Sequence, residues 1–296
     1  MGKALIFSGV TVDNPLQTVT FTKELVTAYD YINEYAKLAT AVTSEQKNYL
    51  KTFIETLMTN GLWDKVICCF PMLGGMDGYN KDLKDVFSQR VWNTPEIGTS
   101  WDSTRNAPYL NLPGNAKGTP LVIENMDRLS SSFLFSTKLK IRRAGCSFIV
   151  VIYDNYTENK FSIISSLISS NGGYAYPIWD IEKKNENLSG YSYSEQANNI
   201  YMVTLNNGTN SMFVCSNNST LLTGGTGATP ESAVTKAQFA FGGFYGAEQA
   251  APANNTLNGI MNMFIAFDSA LTKEEWKIVS KAVWDFDEAC GRHINF

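Results

Sequence analysis

The sequence predicts a mainly β protein, an antiparallel sandwich or jelly roll with an N-terminal helical hairpin module and a short C-terminal helix. Three observations predict it. Short runs rich in β-branched and aromatic residues follow one another after residue 119, separated by turns of Asn, Gly and Ser. No segment long enough for a helical crossover lies between them, which excludes a parallel sheet. Apolar residues at helical spacing are confined to about residues 23–70 and 272–290.

Taken in order, Ala4 to Phe21 alternates apolar and small polar residues around the turn signal Asn14-Pro15, as a pair of short strands does. From about Lys23, Leu25, Tyr29, Ile32, Tyr35, Ala36 and Ala39 share one helix face. Thr43 and Gln46 form a capping box for a second helix, whose apolar face is Tyr49, Leu50, Phe53, Ile54, Leu57 and Met58 and which Asn60-Gly61 closes. Leu62, Trp63, Val66, Ile67 and Phe70 continue the period as one more short helix, up to Pro71 and Gly74-Gly75. Residues 79–119 read as long loops and opening strands. Strands then start at Pro120, Ser132, Cys146, Lys160, Tyr174, Asn199, Ser211, Gln238 and Gly259. The last helix is capped by Thr272, carries Glu274 and Glu275 at its positive end, and has Trp276, Val279, Val283 and Trp284 on one face. This order divides the chain into a module of strand plus helices at 1–75 and a sandwich at 76–296.

Composition narrows the chemistry. With 296 residues, 44% hydrophobic and 18% charged, the chain can bury a sizeable core. Its 24 basic and 28 acidic residues give a net charge of -4, which leaves no broad basic face for nucleic acid. The one histidine, His293, removes most histidine metal sites and nearly every Ser/His/Asp or Cys/His nucleophile. Cys68, Cys69, Cys146, Cys215 and Cys290 show no CxxC spacing and read as buried thiols. No secretion signal and no apolar run of about 18 residues is present, so neither export nor membrane insertion is expected.

Two segments resemble known families. NMFIAFDSALTKEEWKIV, Asn262 to Val279, resembles the closing motif of concanavalin A-like, laminin-G-like jelly rolls, where a last strand turns into a helix opened by acids. NIYMVTLNNGTNSMFVCSNNSTLLTGG, Asn199 to Gly225, is similar to that family's two-stranded hairpin, although Asn198-Asn199 stands where the family has Trp-His. The resemblance covers residues 79 to 290. The second resemblance joins TSEQKNYLKTFIETLMTNGLWDKVICCFPMLGG and NKDLKD, Thr43 to Asp85, with the opening KALIFSGVTV. This order is similar to tail and other virion proteins of bacteriophages and prophages. It implies a non-catalytic structural or adhesive protein made in the host cytoplasm and carried on the virion. It also implies contacts with other virion proteins, self-association as a homotrimer, and a recognition face for host surface glycans. No cofactor and no metal are expected.

Candidate site residues follow from ring chemistry. Sugars present apolar C–H faces, and rigid amphipathic rings bind them. Tyr174, Tyr176, Trp179, Tyr191 and Tyr193 cluster in SNGGYAYPIWD and LSGYSYSE, each tyrosine pair at strand spacing. A covered sandwich face or a subunit contact would show the same spacing. Asp180 and Glu182 are the nearest acid pair, with Glu186 beyond, but lack the Glu-x-Asp-x-Glu order of jelly-roll hydrolases. Asp154 and Glu158 could offer oxygens to calcium, in a linker composed like an ordinary hairpin turn. A carbohydrate-active hydrolase and a bacterial lectin are the rival readings.

Overall fold

A computed structural model describes residues 25–74, 82–88, 91–93, 99–104, 106–111, 121–127, 130–139, 145–155, 160–169, 174–176, 191–192, 198–206, 209–216, 226–228, 236–241 and 258–293. The strand pair expected in the first 24 residues lies outside them. Helix α1 (Ala28–Leu38) begins later than its apolar period suggests, because a capping box sets the start: the Asp30 amide donates to Thr27 Oγ1 at 3.2 Å and the Thr27 amide to Asp30 Oδ2 at 3.1 Å. Helix α2 (Ser44–Thr59) opens on the expected Thr43/Gln46 box and stops at Gly61, whose φ of 67° is left-handed. Helix α3 (Lys273–Ala289) opens on a third box, Thr272 with Glu275.

The short helix expected over residues 62–70 is corrected. A single 3-10 turn, Trp63–Lys65, leads into strand β1 (Val66–Phe70), which pairs antiparallel with the last strand, Phe70 opposite Phe264. A strand buried on both faces has apolar residues at consecutive positions, and so short a run satisfies a helical period equally well.

The other strands are β2 (Asp82–Lys84), β3 (Val91–Asn93), β4 (Thr99–Asp102), β5 (Ala107–Asn111), β6 (Leu121–Asp127), β7 (Ser130–Leu139), β8 (Gly145–Asn155), β9 (Lys160–Ser169), β10 (Tyr174–Tyr176), β11 (Tyr191–Ser192), β12 (Asn199–Asn206), β13 (Thr209–Ser216), β14 (Thr226–Ala228), β15 (Lys236–Phe241) and β16 (Asn258–Phe267). An eight-stranded sheet runs β14-β13-β12-β7-β16-β5-β4, with β1 also on β16; a six-stranded sheet runs β11-β10-β9-β8-β15-β6; β2 and β3 form a ribbon. Among the described residues every strand pairing is antiparallel. Asn206 stands opposite Thr209 at the end of the β12/β13 pairing, and the turn expected at Asn207-Gly208 lies outside the described residues.

The eight-stranded sheet is buried on both faces. Leu134, Ile200, Met202, Met263, Ile265 and Phe267 point into one cluster with α1, α2 and α3. Their strand neighbours Phe133, Phe135, Tyr201, Val203, Phe264 and Ala266 are buried on the opposite face. The layer left to cover that face is the six-stranded sheet, as in a sandwich. Polar residues on the helix side are paired across the layers: Trp276 Nε1 donates to Thr204 Oγ1 at 2.7 Å, and the Leu271 amide to Ser132 Oγ at 2.8 Å. Since β1 is a member of this sheet and the helices share its core, the division at 75/76 runs through one continuous hydrophobic cluster.

Candidate functional site

Of the aromatic residues singled out by sequence, Tyr174 and Tyr176 lie in β10 and Tyr191 in β11; Trp179 and Tyr193 lie outside the described residues. Strand β11 ends the six-stranded order, so these residues sit at its edge. Tyr174 stands opposite Ile168 and Ser192, and Tyr176 opposite Ser166, whereas Tyr191 stands opposite Ala175. Directly opposed residues share a face. The register therefore keeps Tyr174 and Tyr176 together but puts Tyr191 in the other phase, so one surface of the sheet cannot collect all three. Asp180, Glu182, Glu186 and Glu158 lie outside the described residues, while Asp154 belongs to β8.

The most organised polar chemistry is elsewhere, at the carboxyl end of α3. The Gly291 amide donates to the Glu288 carbonyl and the Arg292 amide to the Asp287 carbonyl, each at 2.9 Å, with Gly291 at φ 72°. This Schellman turn sends the Arg292 side chain inward. It is fully buried. Nη2 donates to the carbonyls of Pro71 (3.0 Å), Met72 (2.7 Å) and Asn106 (3.2 Å), and Nη1 to that of Asn262 (2.6 Å) and to Asp287 Oδ1 (3.2 Å). Asn262 is the residue skipped where the β16/β7 register shifts, so its carbonyl is free for this bond.

Met72 and Asn106, at φ 51° and 50°, are the left-handed non-glycine residues among those described, and one nitrogen of Arg292 holds both carbonyls. Burial pushes the Asp287 carboxyl above its ordinary range, against the pull of Arg292 and the Ser136 hydroxyl that donates to it. Nη1 and Nη2 of the guanidinium and both carboxylate oxygens spend their bonds on the protein itself, with Nε alone left without a partner, which makes this a clamp rather than a reaction centre. Only a Gly-Arg pair after the last helix signalled it in the sequence.

A second buried carboxylate, Asp85, accepts from the amides of Cys69 (2.7 Å) and Phe87 (2.8 Å) and from the Ser88 hydroxyl. It fixes a turn beside β1 and places Phe87 stacked on Tyr31, centroids 5.8 Å apart, with Trp63 edge-on to both. Burial raises its pKa and these donors lower it, with a net upward direction. Cys68, Cys69 and Cys215 are buried thiols, and burial pushes Cys69 well above the usual thiol range, which makes it inert. His293 lies with its ring 4.0 Å from that of Trp284. Among the described residues no three His, Cys, Asp or Glu side chains gather as metal ligands would.

No family model matches the sequence, and no curated protein matches it at a significant level. Solved structures do match. The Trypanosoma rangeli sialidase in complex with sialic acid superposes with a TM-score of 0.52 at 9% identity, over 73% of this chain and 33% of that one. A mutant of the same sialidase displaying trans-sialidase activity gives 0.53 at 11%, over 79% and 39%. A carbohydrate-binding module of a Ruminococcus gnavus sialidase, bound to sialyllactose, gives 0.35 at 10%, over 54% and 98%, too low to argue from. What the sialidase matches share with this chain is the β-sandwich-like fold. The chain spans only 33% and 39% of the length of those two.

Proposed function

We propose that this chain is a carbohydrate-recognition protein built on a concanavalin A-like jelly roll, and that its mechanism is binding rather than turnover. The observation that carries the reading is the in-phase pair Tyr174 and Tyr176 at the edge of a sandwich whose fold is shared with sialidases. Fold likeness alone does not transfer a function; two tyrosines at alternate positions of one strand are the residue type that sugar C–H faces call for. Sialic-acid-bearing glycans are the first ligands to try, because the sialidase of similar fold was seen with sialic acid.

The same fold likeness favours a second reading, a carbohydrate-active hydrolase, over a purely structural one. Its carboxylates would be Asp180 and Glu182. The virion setting, with contacts to other virion proteins and a homotrimer, remains part of the proposal on the strength of the resemblance carried by Thr43 to Asp85.

Isothermal titration of sialyllactose and a panel of bacterial surface glycans into the full chain tests both. Saturable binding lost in Tyr174→Ala and Tyr176→Ala, with no reducing-end release, is the expected result. Release abolished by Asp180→Asn or Glu182→Gln establishes the hydrolase instead, and binding unchanged in both tyrosine variants removes the site.

A further inference from the structure

The described residues open on an apolar surface that the helical layer does not cover. Val26, just before the Thr27 cap, and Tyr29, in the first turn of α1, are 64% and 63% exposed, and they are the exposed large hydrophobic side chains among the described residues. The other side of α1 is committed to the core: Ala28, Ile32 and Tyr35 are buried in the cluster that α2 and α3 share. The Tyr35 hydroxyl donates to the Leu73 carbonyl at 3.3 Å, and the Tyr31 ring stacks on Phe87. These contacts fix the roll of α1 and keep Tyr29 turned outward.

Residues 1–24 lie outside the described ones, and their sequence holds a second apolar surface in want of a partner. In Gln17 to Thr22, Val19 and Phe21 fall in phase with Thr18, Thr20 and Thr22 between them, the alternation of a strand with one face to bury. A pair of strands is marginal in water unless that face packs on something else. The connection limits what this can be. At ~3.6 Å per residue at most, the chain from Phe21 to Leu25 reaches roughly 14 Å. Val26 follows Leu25 directly, and Tyr29 lies less than one turn of ~5.4 Å further along the axis. Phe21 is therefore tethered within reach of the exposed face at whatever angle the strand leaves it.

We propose that the outward face at the start of α1 is the seat of this chain's own N-terminal strand pair, with Val19 and Phe21 packed on Val26 and Tyr29. Helix α1 then carries a layer on each side, the eight-stranded sheet on one and the strand pair on the other. The contact is made within one chain, and it stands whether or not that chain binds carbohydrate.

Hydrogen exchange of the full chain, read by mass spectrometry on peptides covering Thr18 to Thr22, is the test. These amides are expected to exchange more slowly than in a synthetic peptide of residues 1–24, equally so across a concentration series. The protection is expected to be lost in Tyr29→Glu and in Val26→Asp, while peptides from α2 and α3 keep their wild-type exchange. The mirror variant Phe21→Glu leaves every described residue in place and is expected to raise the acetylation of Tyr29 by N-acetylimidazole. Exchange at the rate of the free peptide in the wild type overturns the proposal. So does protection that survives both substitutions, or Tyr29 labelling unchanged by Phe21→Glu. Protection that grows with concentration overturns it as well, and assigns the face to a second copy.

Discussion

Replacing Arg292 by Met keeps a long apolar side chain in place and removes a buried charge, so it isolates the work of the guanidinium. Breaking a buried ion pair from one side costs about 3–5 kcal/mol, because Asp287 stays behind in a dry site with only Ser136 to serve it. The carbonyls of Pro71, Met72, Asn106 and Asn262 lose their donor as well, and a buried acceptor left unpaired costs ~1–3 kcal/mol. Two of these losses are offset, since Met72 and Asn106 can relax out of the left-handed region, a gain of roughly 1–2 kcal/mol each. The sum is about 5 kcal/mol or more, a large part of the roughly 5–15 kcal/mol that holds an ordinary domain together. In guanidinium chloride unfolding followed by tryptophan fluorescence, the midpoint should fall strongly at unchanged slope. Adding Asp287→Asn to Arg292→Met removes the stranded charge and should recover part of the loss. A single variant within about 1 kcal/mol of wild type, or a double variant no better than the single, would refute the clamp.

Four further outcomes are expected. Thr204→Val leaves the buried indole N–H of Trp276 without its acceptor and should cost about 1–3 kcal/mol in the same assay. Gly61→Ala and Gly74→Ala both place Ala at positive φ, but only at Gly74 does the new Cβ meet fixed atoms, Val42 Cγ2 at 2.9 Å and Ala39 Cβ at 3.1 Å, so Gly74→Ala should be worse by roughly 1–3 kcal/mol. Burial pushes the Glu275 carboxyl up, but the bonds from Lys65 and Thr272 outweigh it and hold its pKa below the ordinary glutamate range. A depressed carboxyl stabilises the fold above its ordinary pKa and loses that effect as pH falls through the folded value; the advantage of wild type over Glu275→Gln should therefore be present at neutral pH and vanish under acid. Deleting residues 1–75 strips β1 from β16 and uncovers Leu134, Met202 and Ile265, so the remainder should bind hydrophobic dye and lose cooperative unfolding.

The caps and strands were readable because their signals are local. Thr43 with Gln46 and Thr272 with Glu275 act within one helical turn, and β12 and β13 pair as close neighbours in sequence, Asn206 opposite Thr209. Strand β1 was not readable, because VICCF has apolar residues at nearly every position and only its partner, β16, decides between helix and strand. Arg292 was hidden for a similar reason: its acceptors are main-chain carbonyls, which carry no side-chain signature, and one lies 221 residues away. At the candidate site, the alternation of Tyr174 and Tyr176 was legible. The opposite phase of Tyr191 was not, since it depends on the β10/β11 register and not on spacing within either strand.

The pairing of β1 with β16 also sets a schedule for the chain as it is made. The two strands are separated by nearly the whole sandwich, and the guanidinium that ties Pro71 into place is 221 residues downstream of it. At ~5–20 residues per second of synthesis, β1 waits roughly 10–40 seconds for that neighbour. Throughout this interval Cys68, Cys69 and Phe70, all fully buried in the finished fold, have nothing on β16 to pair with. A nascent chain in this condition presents an apolar strand edge to other nascent chains, so the yield of native protein should depend on holdase chaperones and improve when translation is dilute.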